Sequence, residues 1–365
     1  GLSKASELLH RDPRELIADA LNAIGPPQAP DRDELTERLL GPSGLTAKRT
    51  SFDRRDALQA LTEAIPTGLP VTGRQLEDVV DDLLRDGDAV PLLQPAADAG
   101  ERRWSTVELL EVEADALRLA TAPTGVRPAA ADTIADRVDG LPVEQRDLVT
   151  ALLTSTRGVD VVVGPAGSGK TATLRAAAAG WTDHHNPVLG CAVAAVTARR
   201  LEAATGIGCA SIAKLLADLD SHAEHLPVGT VVVVDEASMV GTRDLHRLLT
   251  HTHAVGGKLV LVGDPAQLPE IDAGGLFAAL AAGATPLQLT TNRRQHHSWE
   301  AQALLDLRDG RIDSALDAYV SHHRVHVLPD VEQTRARVAR DYTRRIDRGA
   351  ATGDVVVLAS TRDDV

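Results

Sequence analysis

Residues 161–174 read VVVGPAGSGKTATL, a valine run that breaks into glycines and then meets a lysine and a threonine. Gly164, Gly169, Lys170 and Thr171 fall in the order G-x-x-x-x-G-K-T, after a predicted strand and before a predicted helix, TATLRAAAAG. That is the context in which a glycine-rich loop cradles phosphate. Glycine lets backbone N–H groups turn inward around an anion, with Gly167 and Ser168 inside the same turn. The helix N-terminus adds positive potential, Lys170 reaches the outer phosphates, and the Thr171 hydroxyl is placed to ligate Mg²⁺. The competing reading is a plain glycine-rich turn.

Working outward, the chain from residue 140 alternates short valine-rich runs with helical segments, as a parallel sheet covered on both faces requires. GVDVVVG, PVLGCAVA, GTVVVVD and GKLVLVG are the predicted strands, and DVVVLAS near residue 357 starts another. VVVVDEAS ends in Asp235 and Glu236. Two acids at the carboxyl end of a buried strand are costly unless they meet a cation, and a doubly wound sheet places its ligand there. Asp235 would hold Mg²⁺, and Glu236 would orient and deprotonate an attacking water. KLVLVGDPAQLPEI is a further strand with Gln267 in the turn that follows, where an amide can report on the outer phosphate. LTTNRRQ carries Arg293 and Arg294, and an arginine aimed at the outer phosphate stabilises transition-state charge.

Towards the N-terminus the pattern differs. Residues 1 to about 40 read as short amphipathic helices, LHRDPRELIADALNAI among them. SFDRRDALQALTEAI and TGRQLEDVVDDLLRDG each open with a Ser or Thr suited to cap a helix, and DAVPLLQ and ERRWSTVELL are short strand candidates. Helices followed by a hairpin suggest a winged helix, but the second helix is studded with acids, Glu77, Asp78, Asp81 and Asp82, which suit protein contact better than a DNA groove. A helix, STVELLEVEADALRLA, then leads into the Pro- and Ala-rich passage TAPTGVRPAAADT, the best linker candidate. The expected division is 1–130, 131–289 and 290–365.

Composition narrows the function classes. The 365 residues are 25% charged with a net charge of −14, which argues against a general electrostatic grip on nucleic acid and leaves room for a local basic groove. No apolar run approaches the roughly 20 residues that span a bilayer, and no signal-peptide core opens the chain, so a cytoplasmic location is expected. Cys191 and Cys209 read as reduced packing residues. The pairs His184–His185, His296–His297 and His322–His323 lie in polar contexts and read as solvated surface. With two phenylalanines, three tryptophans and two tyrosines, a ladder of bases on aromatic platforms is hard to build. Trp299 is the aromatic to test for stacking, against a packing role.

In this order GPAGSGKT, DEAS, GDPAQLP and NRRQ resemble motifs I to IV of superfamily 1 helicases of the RecD-like branch. The resemblance implies an α/β fold: a RecA-like P-loop NTPase lobe with a parallel sheet, preceded by a small mainly helical, winged-helix-like domain and followed by the start of a second RecA-like lobe. It implies ATP and Mg²⁺ as cofactors and single-stranded DNA as partner. LPVEQRDLVTALL resembles the Q motif, in which Gln145 would bind the adenine edge. AVTARRLEAATG resembles motif Ia, in which Thr197 would contact DNA phosphates, with Arg199 and Arg200 beside it. Arg294 rather than Arg293 matches the family's phosphate-contacting arginine.

SFDRRDALQAL, RWSTVELLEVEADAL, WEAQALLDLRDGRIDSALDAYVSHHRVHVL and VVVLASTRDDV further resemble the helicase portion of MobF-type conjugative relaxases. On that resemblance the chain is an ATP-driven motor of 5′ to 3′ polarity, with other conjugative transfer proteins as partners. Nothing resembles the relaxase half, and the family's motifs V and VI are expected to follow residue 365. The alternatives are a nucleotide-gated DNA-binding or docking module and a RecD-like repair helicase.

Overall fold

The computed structural model describes residues 31–359, except 66–70, 86–87, 94–101, 166, 223–224, 268–269, 271, 284–285 and 296. The helical reading of LHRDPRELIADALNAI therefore lies outside the described residues. The chain divides into two compact units, Gly1–Arg293 and Arg294–Val365.

The first unit opens with α1 (Arg32–Leu40), β1 (Phe52–Asp53), α2 (Arg54–Ala64), α3 (Gly73–Leu83), β2 (Ala89–Pro91) and β3 (Arg103–Thr106). The strands form an antiparallel sheet in the order β1-β3-β2, with Phe52 opposite Trp104. Phe52, Leu61, Val80 and Trp104 close a small core of their own. Thr72 caps α3 with a reciprocal bond to Gln75, as its position in sequence suggested. Ser51 does not cap α2. Asp53 does, accepting from Asp56 N–H at 2.8 Å, because a carboxylate one residue before the helix meets its free N–H groups directly. Ser51 instead accepts from Arg103 Nε at 2.9 Å.

Next come α4 (Val107–Thr121), α5 (Ala131–Val138), α6 (Val143–Thr154), β4 (Val159–Val163), α7 (Lys170–Asp183), β5 (Val188–Ala192), α8 (Ala195–Thr205), β6 (Cys209–Ser211), α9 (Ile212–Asp220), β7 (Val231–Asp235), α10 (Thr242–Ala254), β8 (Lys258–Gly263), α11 (Leu276–Gly283) and β9 (Leu287–Gln288). The strands form one six-stranded sheet in the order β6-β5-β7-β8-β4-β9, parallel throughout. Successive residues of a strand face opposite ways. Val232 and Val234 pack with α4, α9, α10 and α11, while Val231 and Val233 pack with α6 and α7. Both faces are thus buried, which is why these strands read as unbroken valine runs. β6 and β9 escaped the sequence reading, being only three and two residues long.

Two expectations need correction. The passage 122–130 is not a free tether: Gly125 N–H donates to Gly256 O at 2.8 Å, Thr124 Oγ1 donates to Gly257 O at 2.8 Å, and Val126 is buried. Its prolines prevent a helix, and its remaining backbone groups find partners on the sheet domain. Residues 355–359 form no strand, and Val356 and Leu358 are exposed. Valine content favours a strand only where another strand supplies the ladder.

The second unit contains α12 (Ser298–Arg308), α13 (Ile312–Ser321) and α14 (Val331–Asp347). Trp299 is half-buried and packs against two rings of the same unit. One face lies on His322, ring centres 3.9 Å apart and nearly parallel, and the Tyr319 ring meets it edge-on at 5.5 Å. His322 is therefore engaged through its ring, although exposed.

Across β4 and β8, Asp160 and Lys258 are buried and paired at 2.7 Å, with Lys258 also donating to Ser155 O and Ser155 Oγ donating to Asp160. Burial pushes the Lys258 ammonium down, and Asp160 pulls it only partly back. Lys258→Met leaves the buried Asp160 carboxylate without a countercharge and with only the Ser155 hydroxyl, so urea unfolding is expected to show a loss of about 3–5 kcal/mol. Replacing both partners by Met and Leu should recover most of it. Equal losses in the single and double variants would remove the pair from the stability account.

Candidate active site

A parallel sheet delivers every carboxyl end to one edge. At that edge β8 lies between β4 and β7. The glycine loop and the acid pair are therefore two strand spacings apart, roughly 10 Å. That gap suits a phosphate chain with a cation beside it.

After β4 the backbone stays in register for one residue, with Gly164 N–H donating to Gly263 O at 3.1 Å. Gly167 and Gly169 then take left-handed conformations, φ +85° and +92°, and close the loop into α7. A side chain on Gly169 would run into Gln145, its Cβ only 2.1 Å from Nε2. Gln145 is buried on α6, with its carboxamide against the phosphate loop. Lys170 Nζ donates to Gly164 O at 2.7 Å, so its ammonium is held at the loop mouth. Ser168 Oγ is buried and has no hydrogen-bond partner among the described residues. Thr171 is exposed on the first turn of α7.

Across the gap, Asp235 ends β7 and accepts from Glu236 N–H at 3.0 Å. Glu236 sits at φ +52°, a conformation that costs a non-glycine residue about 1–3 kcal/mol. Its Oε2 is buried without a partner among the described residues. Burial pushes both carboxyls above the usual range. The Lys170 charge opposes this at each of them, while Asp235 and Asp264 add to it at Glu236. The charges of Lys170, Asp235 and Asp264 all act on the Glu236 carboxylate. A buried Glu236 oxygen without a partner among the described residues, the desolvated Asp235 beside it and a loop of left-handed glycines fit a divalent cation and a phosphate chain.

Asp264 was missed in the sequence. It is buried and follows the all-buried strand β8, the same signal that singled out Asp235. It organises the turn, accepting from Ala266 N–H at 3.1 Å, while Gln267 N–H bonds its carbonyl at 3.0 Å. Gln267 is exposed on this turn, its amide 3.4 Å from the Asp264 carboxylate.

The segment after β9 approaches the loop as well. Arg293 N–H donates to Gly167 O at 2.8 Å. Glu144, next to Gln145, accepts from the backbone of Thr290 and Thr291 and from the Thr290 hydroxyl. Burial raises the Glu144 carboxyl and these bonds outweigh it, so the net shift is downward. Arg294 is the first residue of the second unit. On α8, Thr197 is half-buried and Arg199 and Arg200 are exposed.

Residues 140–330 match the family model described as AAA domain. Conjugal transfer protein TraA of Rhizobium radiobacter is 30% identical over 349 residues, 92% of this chain and 31% of that protein. RecBCD enzyme subunit RecD of Mycolicibacterium smegmatis is 30% identical over 306 residues, 72% of this chain and 52% of RecD. The ATP-dependent RecD2 DNA helicase of Deinococcus radiodurans is 34% identical over 161 residues, 43% of this chain and 22% of that protein. The chain thus spans about a third of TraA, 31% of its length.

Because the folded-state value of Glu236 is raised, its charge opposes folding at neutral pH, and the penalty fades as pH falls through that value towards the ordinary carboxylate range. Glu236→Gln is therefore expected to melt at higher temperature than the wild type at pH 7, without added nucleotide or divalent ion. The difference should shrink towards pH 4. An equal or lower Tm for the variant at pH 7 would contradict the desolvation argument.

Proposed function

This chain belongs to the AAA domain family, and we propose that it is the ATP-hydrolysing motor portion of a conjugative relaxase-helicase that moves 5′ to 3′ along single-stranded DNA. The observation that carries the proposal is the meeting at one sheet edge of the left-handed glycine loop with Lys170, the Asp235–Glu236 pair and the Asp264–Gln267 turn. The likeness to TraA runs over 92% of the chain, against 72% for RecD, which favours the conjugative reading over a repair helicase.

In this reading Lys170 exchanges the Gly164 carbonyl for the outer phosphate oxygens, and loop amides hold the inner ones. Mg²⁺ held by Thr171 and Asp235 would neutralise charge on the phosphate oxygens. Glu236 accepts the proton of the attacking water. Its desolvated carboxylate has an open oxygen, and a raised affinity for protons makes it a better base near neutral pH. Gln267 orients the water and reports the state of the outer phosphate, Gln145 faces the adenine side, and Arg294 stabilises transition-state charge. Thr197, Arg199 and Arg200 contact DNA phosphates. With few aromatics in the chain, that grip rests on charge. Other conjugative transfer proteins are partners, and the site of action is the cytoplasm.

Steady-state ATP hydrolysis with and without single-stranded DNA, beside titration with a fluorescent nucleotide, separates these roles. Glu236→Gln should keep binding and lower turnover by about 10² or more, whereas Lys170→Ala should weaken binding itself. Loss of binding in both would remove Glu236 from the role of base. For the DNA face, replacing Arg199 and Arg200 by Ala should weaken binding to strands of any sequence and flatten the salt dependence by roughly one unit of log–log slope per residue. An unchanged slope would move the DNA path elsewhere.

A further inference from the structure

Arg243 lies one residue after the start of α10, the first α-helix after the acid pair, and its guanidinium bonds α4 and the loop between α1 and β1. Nε and Nη2 grip the Glu108 carboxylate of α4 in a fork, Nε at 2.9 Å. Nη1 donates to Thr46 O at 2.8 Å and Nη2 to Thr46 Oγ1 at 3.0 Å. Thr46 belongs to the loop between α1 and β1 and is fully buried. Its hydroxyl also bonds Thr106 Oγ1 at 3.1 Å, and Thr106 caps α4.

The next residue continues the connection. Ala47 O accepts from Ala273 N–H at 3.0 Å, and Ala273 O accepts from Thr242 N–H at 2.7 Å, which returns to the residue before Arg243. The bonds form a closed circuit through the first turn of α10, residues 46–47 and Ala273. Gly241 is part of the fit, since a Cβ there would meet Asp272 Cβ at 3.1 Å. Ala273 lies in the loop that runs from Asp264 to the start of α11 at Leu276. Asp264 is fixed by β8, so the circuit supplies the other anchor of the loop that carries Gln267.

We propose that Arg243 is a positioning residue for the nucleotide reaction: through Thr46 and Ala47 it fixes the far anchor of the Gln267 loop, which makes the N-terminal module a working part of the motor. The proposal rests on the motor reading for the identity of the reaction. It follows from the chemistry of the fork. Only a planar guanidinium serves a bidentate carboxylate and two further acceptors at once, and a lysine ammonium in the same place keeps the charge and loses that geometry.

The test uses the full chain with Arg243→Lys, and with Thr46→Val, which removes the hydroxyl and keeps the carbonyl. Amide hydrogen exchange is followed on peptides covering 272–276 and on β4, β7 and β8, together with nucleotide Kd and DNA-stimulated turnover. In Arg243→Lys, exchange should accelerate at 272–276 and stay slow in the strands. Kd should hold within about twofold, and turnover should fall about tenfold to a hundredfold, the range expected when a catalytic group is displaced by a remote change. Thr46→Val should move the same readouts less. Unchanged exchange at 272–276, exchange raised equally in the strands, or unchanged turnover with a freed Ala273 would each overturn the proposal. A wild type that hydrolyses no ATP would instead sink the motor reading, and the exchange data would still decide whether Arg243 holds Ala273.

Discussion

Strands that all run one way cannot be joined by tight hairpins; each must be followed by a crossover that returns the chain to the starting edge. In this protein that rule covers all six strands of the large sheet and sends the glycine loop, the Asp235–Glu236 pair, the Asp264 turn and the segment leading to Arg293 to a single edge. The crossovers cover both faces, so the sheet interior is dry and the first polar groups at its carboxyl edge sit in a low dielectric. Placement and electrostatic strength of the site have the same origin.

The site also carries a cost that the rest of the fold offsets. Two carboxylates are desolvated, one of them on a left-handed residue with an oxygen that meets no donor among the described residues. Such a combination lowers stability unless the surroundings hold it in place. Val231–Val234 are all buried directly before the pair, and a 3₁₀ turn, Ala237–Met239, begins directly after it. The backbone at Glu236 is therefore held from both sides, and a cation with phosphate is the natural complement of what remains.

The N-terminal module sits differently from a tethered accessory domain. Helix α4 lies in the same apolar cluster as α9, α10 and α11, and the module's loop at Thr46–Ala47 bonds both α10 and Ala273. The acids on α3 lie on its outer surface, with Asp81 holding Arg54 at 2.7 Å. Those acids make α3 a poor reader of a DNA groove.

Local rules carry information that a single segment can express. The spacing of Gly164, Gly169, Lys170 and Thr171 needs only a strand before and a helix after it. The valine runs needed only two buried faces, and the Thr72 cap only its own first turn, so all of these were legible in the sequence. What a residue meets across space was not. Asp264 carries the same mark as Asp235 yet became visible as part of the site only when β8 was placed between β4 and β7. The passage 122–130 has the composition of a linker, and only the fold supplied the carbonyls of Gly256 and Gly257 that tie it down. Arg243 is one arginine in a helix by sequence. Its four acceptor contacts lie more than a hundred residues away along the chain, and a long-range arrangement of that kind is decided by tertiary packing alone.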